Sequence, residues 1–258
     1  MLDTSRATTD DHRIAAEIAT AAGQLLLSTR DELVAKGADQ WQIKDAGDTY
    51  AHRFIVDRLA ELAPDDAVLS EEGKDDRVRL ERERVWIVDP LDGTREYSEG
   101  RSDWAVHVAL CVGGVPAAGA VALPGLDRTL TTDPASELPD ADDGPPVLVV
   151  SRTRPPAAAV VVAEALGADL LKMGSAGAKA MAVVLGHADI YAHSGGQFEW
   201  DSCAPVAVAE AAGLHTSRCD GSPLVYNQPD VYLPDLVICR PEYAEASLAA
   251  LADAMRGG

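Results

Sequence analysis

The sequence predicts a layered α/β fold for a chain of 258 residues, and three observations favour this class. Two stretches with apolar residues at helical spacing, 13–33 and 49–62, come first. Short apolar runs that are typical of strands follow them. From residue 147 onward, strand-like runs alternate with helical patterns, which is the signature of an α/β arrangement.

The first half of the chain is expected to contain these two helices and then four strands. Asp10 and Asp11 can cap the first helix, and Pro64 ends the second. The strands are predicted at 67–69, 85–88, 104–112 and 115–123. The uncharged run 108–126 is nearly long enough to cross a bilayer, but its Gly and Pro residues favour two strands joined by a turn.

Residues 133–146 are rich in Pro, Asp and Gly and are predicted to form a linker. The chain is therefore divided into an N-terminal α+β subdomain, residues 1–140, and a C-terminal α/β subdomain, residues 141–258. In the second subdomain, strands are predicted at 147–150, 170–173, 190–191 and 236–239. Helices are predicted at 155–166, 175–185, 201–212 and from residue 241 onward.

Composition excludes several classes of function. The chain carries 42 acidic and 22 basic residues, a formal net charge of −20 at pH 7, so electrostatic attraction cannot be the main source of binding to nucleic acid or to an anionic membrane. The sequence contains neither a dinucleotide-binding glycine motif nor a P-loop. Residues 1–13 lack the pattern of a signal peptide, and the four cysteines form no C-x-x-C pair. We therefore predict a cytoplasmic protein with free thiols.

The most informative motif is WIVDPLDGT at residues 86–94. An apolar strand leads to Asp89, and the turn that follows allows the Leu91 carbonyl and Asp92 to approach it. Such oxygen ligands suit a hard cation such as Mg²⁺. The amides of Gly93 and Thr94 can bind a phosphate oxygen at the same place if they begin a helix or turn.

Two further acidic motifs can complete this pocket. Glu71 and Glu72 follow another short strand, and Asp201 lies at the start of a predicted helix. Four acidic side chains at strand ends can bind two or three divalent ions, and this predicts metal-assisted hydrolysis of a phosphate ester. Taken singly, each motif has an ordinary alternative: a turn at 89–94, a solvated face at Glu71 and Glu72, and a helix cap at Asp201.

The motifs SEE at 70–72, WIVDPLDGT at 86–94 and EWDSCAP at 199–205 resemble the three metal-binding motifs of the inositol monophosphatase superfamily, a group of Mg²⁺-dependent, lithium-sensitive phosphatases. The resemblance implies an αβαβα sandwich of the inositol monophosphatase and fructose-1,6-bisphosphatase type, a homodimer, and catalysis without a phosphoenzyme. The metal ligands that it implies are Glu71, Asp89, the Leu91 carbonyl, Asp92 and Asp201.

The same resemblance implies roles around the metal site. Thr94, together with Asp48 or Glu71, would orient the attacking water, and the amides of Gly93 and Thr94 would hold the phosphate. Asp48 lies in a contracted segment, 44–48, where Asp45 is an alternative. A further interpretation of Asp48 is the N-cap of a helix that begins near Tyr50.

Two features resemble one branch of this superfamily, the 3'-phosphoadenosine 5'-phosphate (PAP) phosphatases of the CysQ type. Arg95-Glu96-Tyr97 follows the DGT, and Ser194 occupies the position seven residues before Asp201 where inositol phosphatases carry an acid. Further stretches, among them 221–240, resemble actinobacterial members of the branch. The reaction implied is hydrolysis of PAP to AMP and phosphate in sulfur assimilation, with 3'-phosphoadenylyl sulfate as a further substrate.

The remaining predictions concern a binding site for a second phosphate group and the alternative functions. Ser175 begins a predicted helix whose amides can receive the 5'-phosphate of PAP, with Lys179 as counter-charge or as a surface lysine. His107 is expected to be a core histidine, and Trp200 a packing residue. The rival substrates are inositol-1-phosphate and fructose-1,6-bisphosphate. A non-catalytic metal-binding regulatory module is the rival from another class.

Overall fold

The computed structural model describes residues 7–75, 77–141 and 144–257, and within these ranges it contains seven α-helices and ten strands. The helices are α1 (Thr9–Ala35), α2 (Gln40–Leu62), α3 (Thr94–Ser98), α4 (Ala157–Leu166), α5 (Ala176–Val184), α6 (Glu199–Ala211) and α7 (Pro241–Gly257). The strands are β1 (Ala67–Ser70), β2 (Arg84–Asp92), β3 (Ala105–Val112), β4 (Val115–Leu123), β5 (Arg128–Thr131), β6 (Val147–Ser151), β7 (Asp169–Met173), β8 (Ile190–Phe198), β9 (His215–Ser217) and β10 (Tyr232–Cys239).

The strands form two five-stranded sheets in the described part of the chain. The first has the order β1-β2-β3-β4-β5, in which only the β1–β2 pair is parallel. The second has the order β7-β6-β8-β10-β9, in which β6 runs parallel to both β7 and β8. Strand β10 lies between β8 and β9 and runs antiparallel to both.

Alternating apolar residues of β2 show how the layers are built. Trp86 and Val88 pack into the cluster formed with α1 and α2, whereas Val85 and Ile87 pack into the cluster formed with α5 and α6. Because both faces of the first sheet are covered, its central strands are continuous apolar runs. A third cluster joins α4 and α7 to the outer face of the second sheet. The predicted αβαβα order is confirmed.

The middle layer bears on the predicted division of the chain. Helices α5 and α6 come from the second half of the sequence, but their apolar side chains pack in one cluster with residues of both sheets. The strands of the first sheet end at Thr131, and those of the second begin at Val147. The boundary between residues 140 and 141 stays a prediction.

The second helix begins earlier than its apolar pattern indicates. Asp39 accepts a hydrogen bond from the Gln42 amide at 2.9 Å, and this cap begins α2 at Gln40. Few residues of its first turns are buried, so the periodic signal there is weak. Asp48 consequently lies in the middle of α2, and the interpretation of Asp48 as an N-cap is wrong.

Two other expectations concern strands. The run 108–126 forms most of β3 and all of β4, and no helix in the described ranges is long and apolar enough to cross a membrane. Strand β8 extends to Phe198, well beyond the predicted 190–191. Its second half is polar and rich in Gly, and it is a strand because it pairs with β10.

Candidate active site

The carboxyl ends of β1 and β2 place acidic side chains at one edge of the first sheet. The two strands are parallel, with Ser70 opposite Val88, and the Glu71 amide donates to the Val88 carbonyl at 3.3 Å. The pairing of β2 with β3 shifts register between Asp89 and Asp92. Such a bulge re-aims side chains, and here it accompanies the burial of both aspartates at the strand end.

Helix α6 supplies the third member of the acidic cluster. Asp201 lies in its first turn, where its Oδ2 accepts a hydrogen bond from the Phe198 amide at 2.7 Å. Asp89, Asp92 and Asp201 each offer an oxygen, and these oxygens all lie within 4.8 Å of one another. Glu71 lies against Asp89. The structure therefore brings the four predicted carboxylates together.

Crowding raises the pKa of most of these groups. Burial, and then the charges of Glu71 and Asp92, raise the pKa of Asp89 well above its usual range. Burial and the Asp92 charge raise the pKa of Asp201 to about 7. Glu71 keeps part of its surface open to solvent, but desolvation and neighbouring carboxylates raise its pKa to about 7 as well. A divalent cation would relieve this repulsion, and the donor set of carboxylate oxygens fits a hard cation.

Asp92 differs from its neighbours because the protein already holds its charge. Its Oδ2 accepts hydrogen bonds from the Ser175 hydroxyl at 2.5 Å and the Gly177 amide at 2.6 Å, and its Oδ1 accepts one from the Ala176 amide at 3.1 Å. Burial alone would raise the pKa of Asp92, but His107, the charge of Lys179 and the Ser175 hydroxyl lower it to about 2. Asp92 is therefore ionised and fixed at the first turn of α5.

His107 is buried as predicted for a core histidine, but sequence reasoning missed its contact with Asp92. Its Nδ1 lies 3.0 Å from the Trp200 carbonyl, which can only accept, so Nδ1 carries a proton. Its Nε2 lies 3.3 Å from Asp92 Oδ2. A neutral ring would direct a lone pair at that carboxylate, and Asp92 accordingly raises the pKa of His107 against the effect of burial. His107 is the register partner of Asp89 in the β2–β3 pair, and its place at the site could be predicted only if that register were known.

A glycine makes room for this imidazole. A Cβ at Gly177 would lie 1.9 Å from His107 Nε2, a distance that no side chain tolerates. The first turn of α5 can approach both His107 and Asp92 only because residue 177 has no side chain. The second glycine of GSAGAKAM, Gly177, therefore allows α5 to pack closely against His107.

Thr94 and Asp48 face each other across the turn after β2. The Thr94 hydroxyl lies 3.2 Å from the Leu91 carbonyl and 3.4 Å from Asp48 Oδ1. Gly93, with φ of 89°, adopts the left-handed conformation that joins β2 to α3. Burial and the charge of Glu72 raise the pKa of Asp48 to about 7. The alternative, Asp45, is exposed.

The predicted phosphate contact of Ser175 and Lys179 is not supported by this geometry. The Ser175 hydroxyl and the first amides of α5 already donate to Asp92. Lys179 is buried, and its Nζ donates to the carbonyls of Gly174 and Ser175 and lies 5.5 Å from the centre of the Tyr191 ring. Lys179 is therefore not a surface lysine, and its charge contributes to the lowered pKa of Asp92.

Comparison with known proteins assigns the family. Residues 9–136 and 148–256 match the inositol monophosphatase family. The chain belongs to this family. The resemblance seen in the three motifs is thereby confirmed, and the acidic cluster is the one expected of a metal-dependent inositol monophosphatase family member.

Curated relatives place this inositol monophosphatase family member near one branch. It is 50% identical over 255 residues to the 3'-phosphoadenosine 5'-phosphate phosphatase of Mycobacterium leprae (strain TN), covering 93% of both chains. It is 31% identical over 233 residues to the 3'(2'),5'-bisphosphate nucleotidase CysQ of Escherichia coli (strain K12), covering 84% of this chain and 94% of that protein. The mycobacterial relatives confirm the predicted likeness to actinobacterial members.

Solved structures show the same family fold. CysQ from Bacteroides thetaiotaomicron is 27% identical, with a TM-score of 0.78 over 91% of this chain and 98% of that chain. Inositol monophosphatase II from Staphylococcus aureus MSSA476 is 21% identical, with a TM-score of 0.79 over 96% of this chain and 97% of that chain. These likenesses confirm the fold class predicted from the sequence.

Proposed function

We propose that this protein is a Mg²⁺-dependent phosphatase that removes the 3'-phosphate of PAP and releases AMP and phosphate. The observation that carries the proposal is the convergence of the acidic cluster in a chain that is 50% identical to mycobacterial PAP phosphatases. The same chemistry applies to 3'-phosphoadenylyl sulfate, and both reactions belong to sulfur assimilation. The homodimer, the cytoplasmic location and the sensitivity to lithium stay predictions from the resemblance and the cysteine pattern.

The proposed ligands of two or three Mg²⁺ ions are Glu71, Asp89, the Leu91 carbonyl, Asp92 and Asp201. Bound Mg²⁺ would activate the attacking water and neutralise charge on the leaving oxygen. Two observations support this assignment: carboxylate oxygens cluster within 4.8 Å, and the pKa values of Asp89 and Asp201 are raised. A divalent cation bound among these oxygens would remove the repulsion between the carboxylates.

The side chains around the site have separate proposed tasks. Thr94 orients the attacking water by accepting a hydrogen bond from it, while its own hydroxyl proton faces Asp48 Oδ1 at 3.4 Å. When the water gives a proton to the Thr94 oxygen, the Thr94 hydroxyl passes its own proton to Asp48. A pKa of about 7 suits Asp48 to this role near neutral pH. Glu71 is the alternative partner of Thr94. The amides of Gly93 and Thr94 hold the phosphate against the first turn of α3.

Asp48 can be separated from Asp45 by a matched pair of variants. We expect Asp48→Asn to lower kcat by about 100-fold, the lower end of the range for general acid–base catalysis. Asp45→Asn makes the same change on the same helix at an exposed position, and we expect kcat to stay within about twofold. Steady-state phosphate release by both variants provides the measurement. A large loss in Asp45→Asn with a normal Asp48→Asn enzyme would reverse the assignment.

The proposed reaction is tested by measuring phosphate release from PAP, inositol-1-phosphate and fructose-1,6-bisphosphate in parallel, with Mg²⁺ and with EDTA. We expect kcat/KM to be highest for PAP by at least about 10-fold and activity to vanish in EDTA and return with Mg²⁺. Preference for a sugar phosphate would favour the rival substrates. Release from none of them would favour the non-catalytic regulatory module.

Ser194 argues against an inositol phosphate as the main substrate. It replaces the acid that inositol phosphatases carry at this position, and its Oγ accepts a hydrogen bond from the Ala158 amide at 3.2 Å. That bond occupies the side chain at the start of α4. A neutral hydroxyl also lacks the charge and the paired acceptor oxygens with which a carboxylate holds a sugar alcohol.

A further inference from the structure

Three aromatic side chains form a surface beside Asp201. The rings of Phe198 and Trp200 are stacked, with centroids 5.1 Å apart and planes 15° apart. The ring of Tyr232 meets Phe198 edge-on, at 5.9 Å and 77°. Phe198 and Tyr232 remain 39% and 43% exposed, although each is large and apolar. We name Phe198, Trp200 and Tyr232 the aromatic platform.

The backbone ties the aromatic platform to the acidic cluster. The Phe198 amide donates to Asp201 Oδ2 at 2.7 Å, and the Trp200 carbonyl accepts from His107. Tyr232 is the register partner of Phe198 in the β8–β10 pair. The Phe198 backbone is therefore hydrogen-bonded directly to one of the three clustered aspartates.

Space for a ligand lies next to the aromatic platform. Gly195 and Gly196 are exposed, with φ of 81° and 77°, and no heavy atom lies within 4 Å of a Cβ placed on either. The Gly196 amide donates to the Tyr232 hydroxyl at 3.2 Å, which holds this open segment against the platform. This open segment lies directly before Phe198 in β8, and the Phe198 side chain is itself exposed.

We propose that Phe198, backed by Trp200 and flanked by Tyr232, stacks against the purine base of the substrate and gives the enzyme its preference for a nucleotide. The inference rests on the proposed function. A flat apolar ring is complementary to a flat base, and stacking needs no charge, which matters in a protein with a net charge of −20. Sugar phosphates have no aromatic face and gain nothing from this surface.

Phe198→Ala and Phe198→Trp test the proposal, with Tyr243→Ala on α7 in the outer layer as the control. The ratio of kcat/KM for PAP to that for inositol-1-phosphate should fall by about 10-fold to 100-fold in Phe198→Ala, mainly through KM. In Phe198→Trp the ratio should stay near that of the unmodified enzyme, because Trp also offers an aromatic face. The control should keep the ratio of the unmodified enzyme.

Binding measurements with Mg²⁺ decide the proposal independently of turnover. The Kd of AMP should rise by about 10-fold to 100-fold in Phe198→Ala, while the Kd of inorganic phosphate should not change. An equal weakening of AMP and phosphate would show that Phe198 only supports Asp201, and an unchanged Kd of AMP would show that the base lies elsewhere. Either result overturns the proposal. Failure of the proposed function would instead be seen in the unmodified enzyme, as absence of a preference for PAP.

Discussion

Replacing Asp89 with Asn is expected to lower kcat by at least about 10³-fold while the fold is retained. Asn keeps the shape of the side chain and the oxygen that accepts the Leu91 amide at 3.0 Å. The substitution removes one negative charge from the centre of the acidic cluster, so a divalent cation is bound more weakly there. In the metal-free protein, the same loss of charge relieves repulsion with Glu71, Asp92 and Asp201.

The Asp89→Asn prediction therefore has two readouts of opposite sign. Phosphate release should be lost, whereas thermal unfolding in EDTA at about pH 8 should give a higher Tm than that of the unmodified protein. Asp57→Asn, an exposed change on α2 that only touches the surface pair with Arg53, is the matched control and should alter neither. Near-normal turnover in Asp89→Asn would contradict the assignment of Asp89 to the site.

Stability of the metal-free protein is expected to fall as the pH rises from about 5 to about 8, with a Tm decrease of at least about 5 °C that Mg²⁺ reverses. Asp48, Glu71 and Asp201 have pKa values of about 7 in the folded protein, above their values of 3.8, 4.5 and 3.8 in an unfolded chain. Between these limits the folded state binds more protons than the unfolded state. Folding is therefore favoured at low pH, and this contribution is lost as the pH rises through about 7.

Thermal unfolding at both pH values, in EDTA and in Mg²⁺, measures this effect. The difference in Tm between EDTA and Mg²⁺ reports on the metal site alone, because the general repulsion of a chain with 42 acidic residues is present in both solutions. The stabilisation by Mg²⁺ should be larger at the higher pH, since cation and protons compete for the same oxygens. Asp89→Asn should flatten the pH dependence in EDTA. Equal stabilisation by Mg²⁺ at both pH values would show that these carboxylates do not titrate as a site.

Much of the acidic cluster could be predicted because its geometry is largely local. The segment 86–94 contains a strand, a turn and the start of a helix in nine consecutive letters, and these confine Asp89 and Asp92 to one strand end. Glu71 follows the strand parallel to β2, and parallel strands end at the same edge. Asp201 in the first turn of α6 was also predictable from position.

Partners supplied by distant segments could not be predicted. His107 meets Asp92 only through the β2–β3 register and the packing of Gly177. Ser175 looked like the beginning of an anion site, but its helix already caps Asp92 from 83 residues away in the chain. The role of Asp48 depends on α2 beginning at Gln40. The Asp39 cap begins the helix there, although the apolar pattern of its first turns is weak.

The sequence by itself determined the α/β class through periodicity, and its three acidic motifs carried the resemblance to the family, which in turn implied the αβαβα order. Only the tertiary structure decided which donors hold Asp92, that Lys179 is buried, and that Phe198 is left exposed beside Asp201. These features depend on how two sheets and the helices between them pack, and pairing across layers leaves no local pattern in the chain.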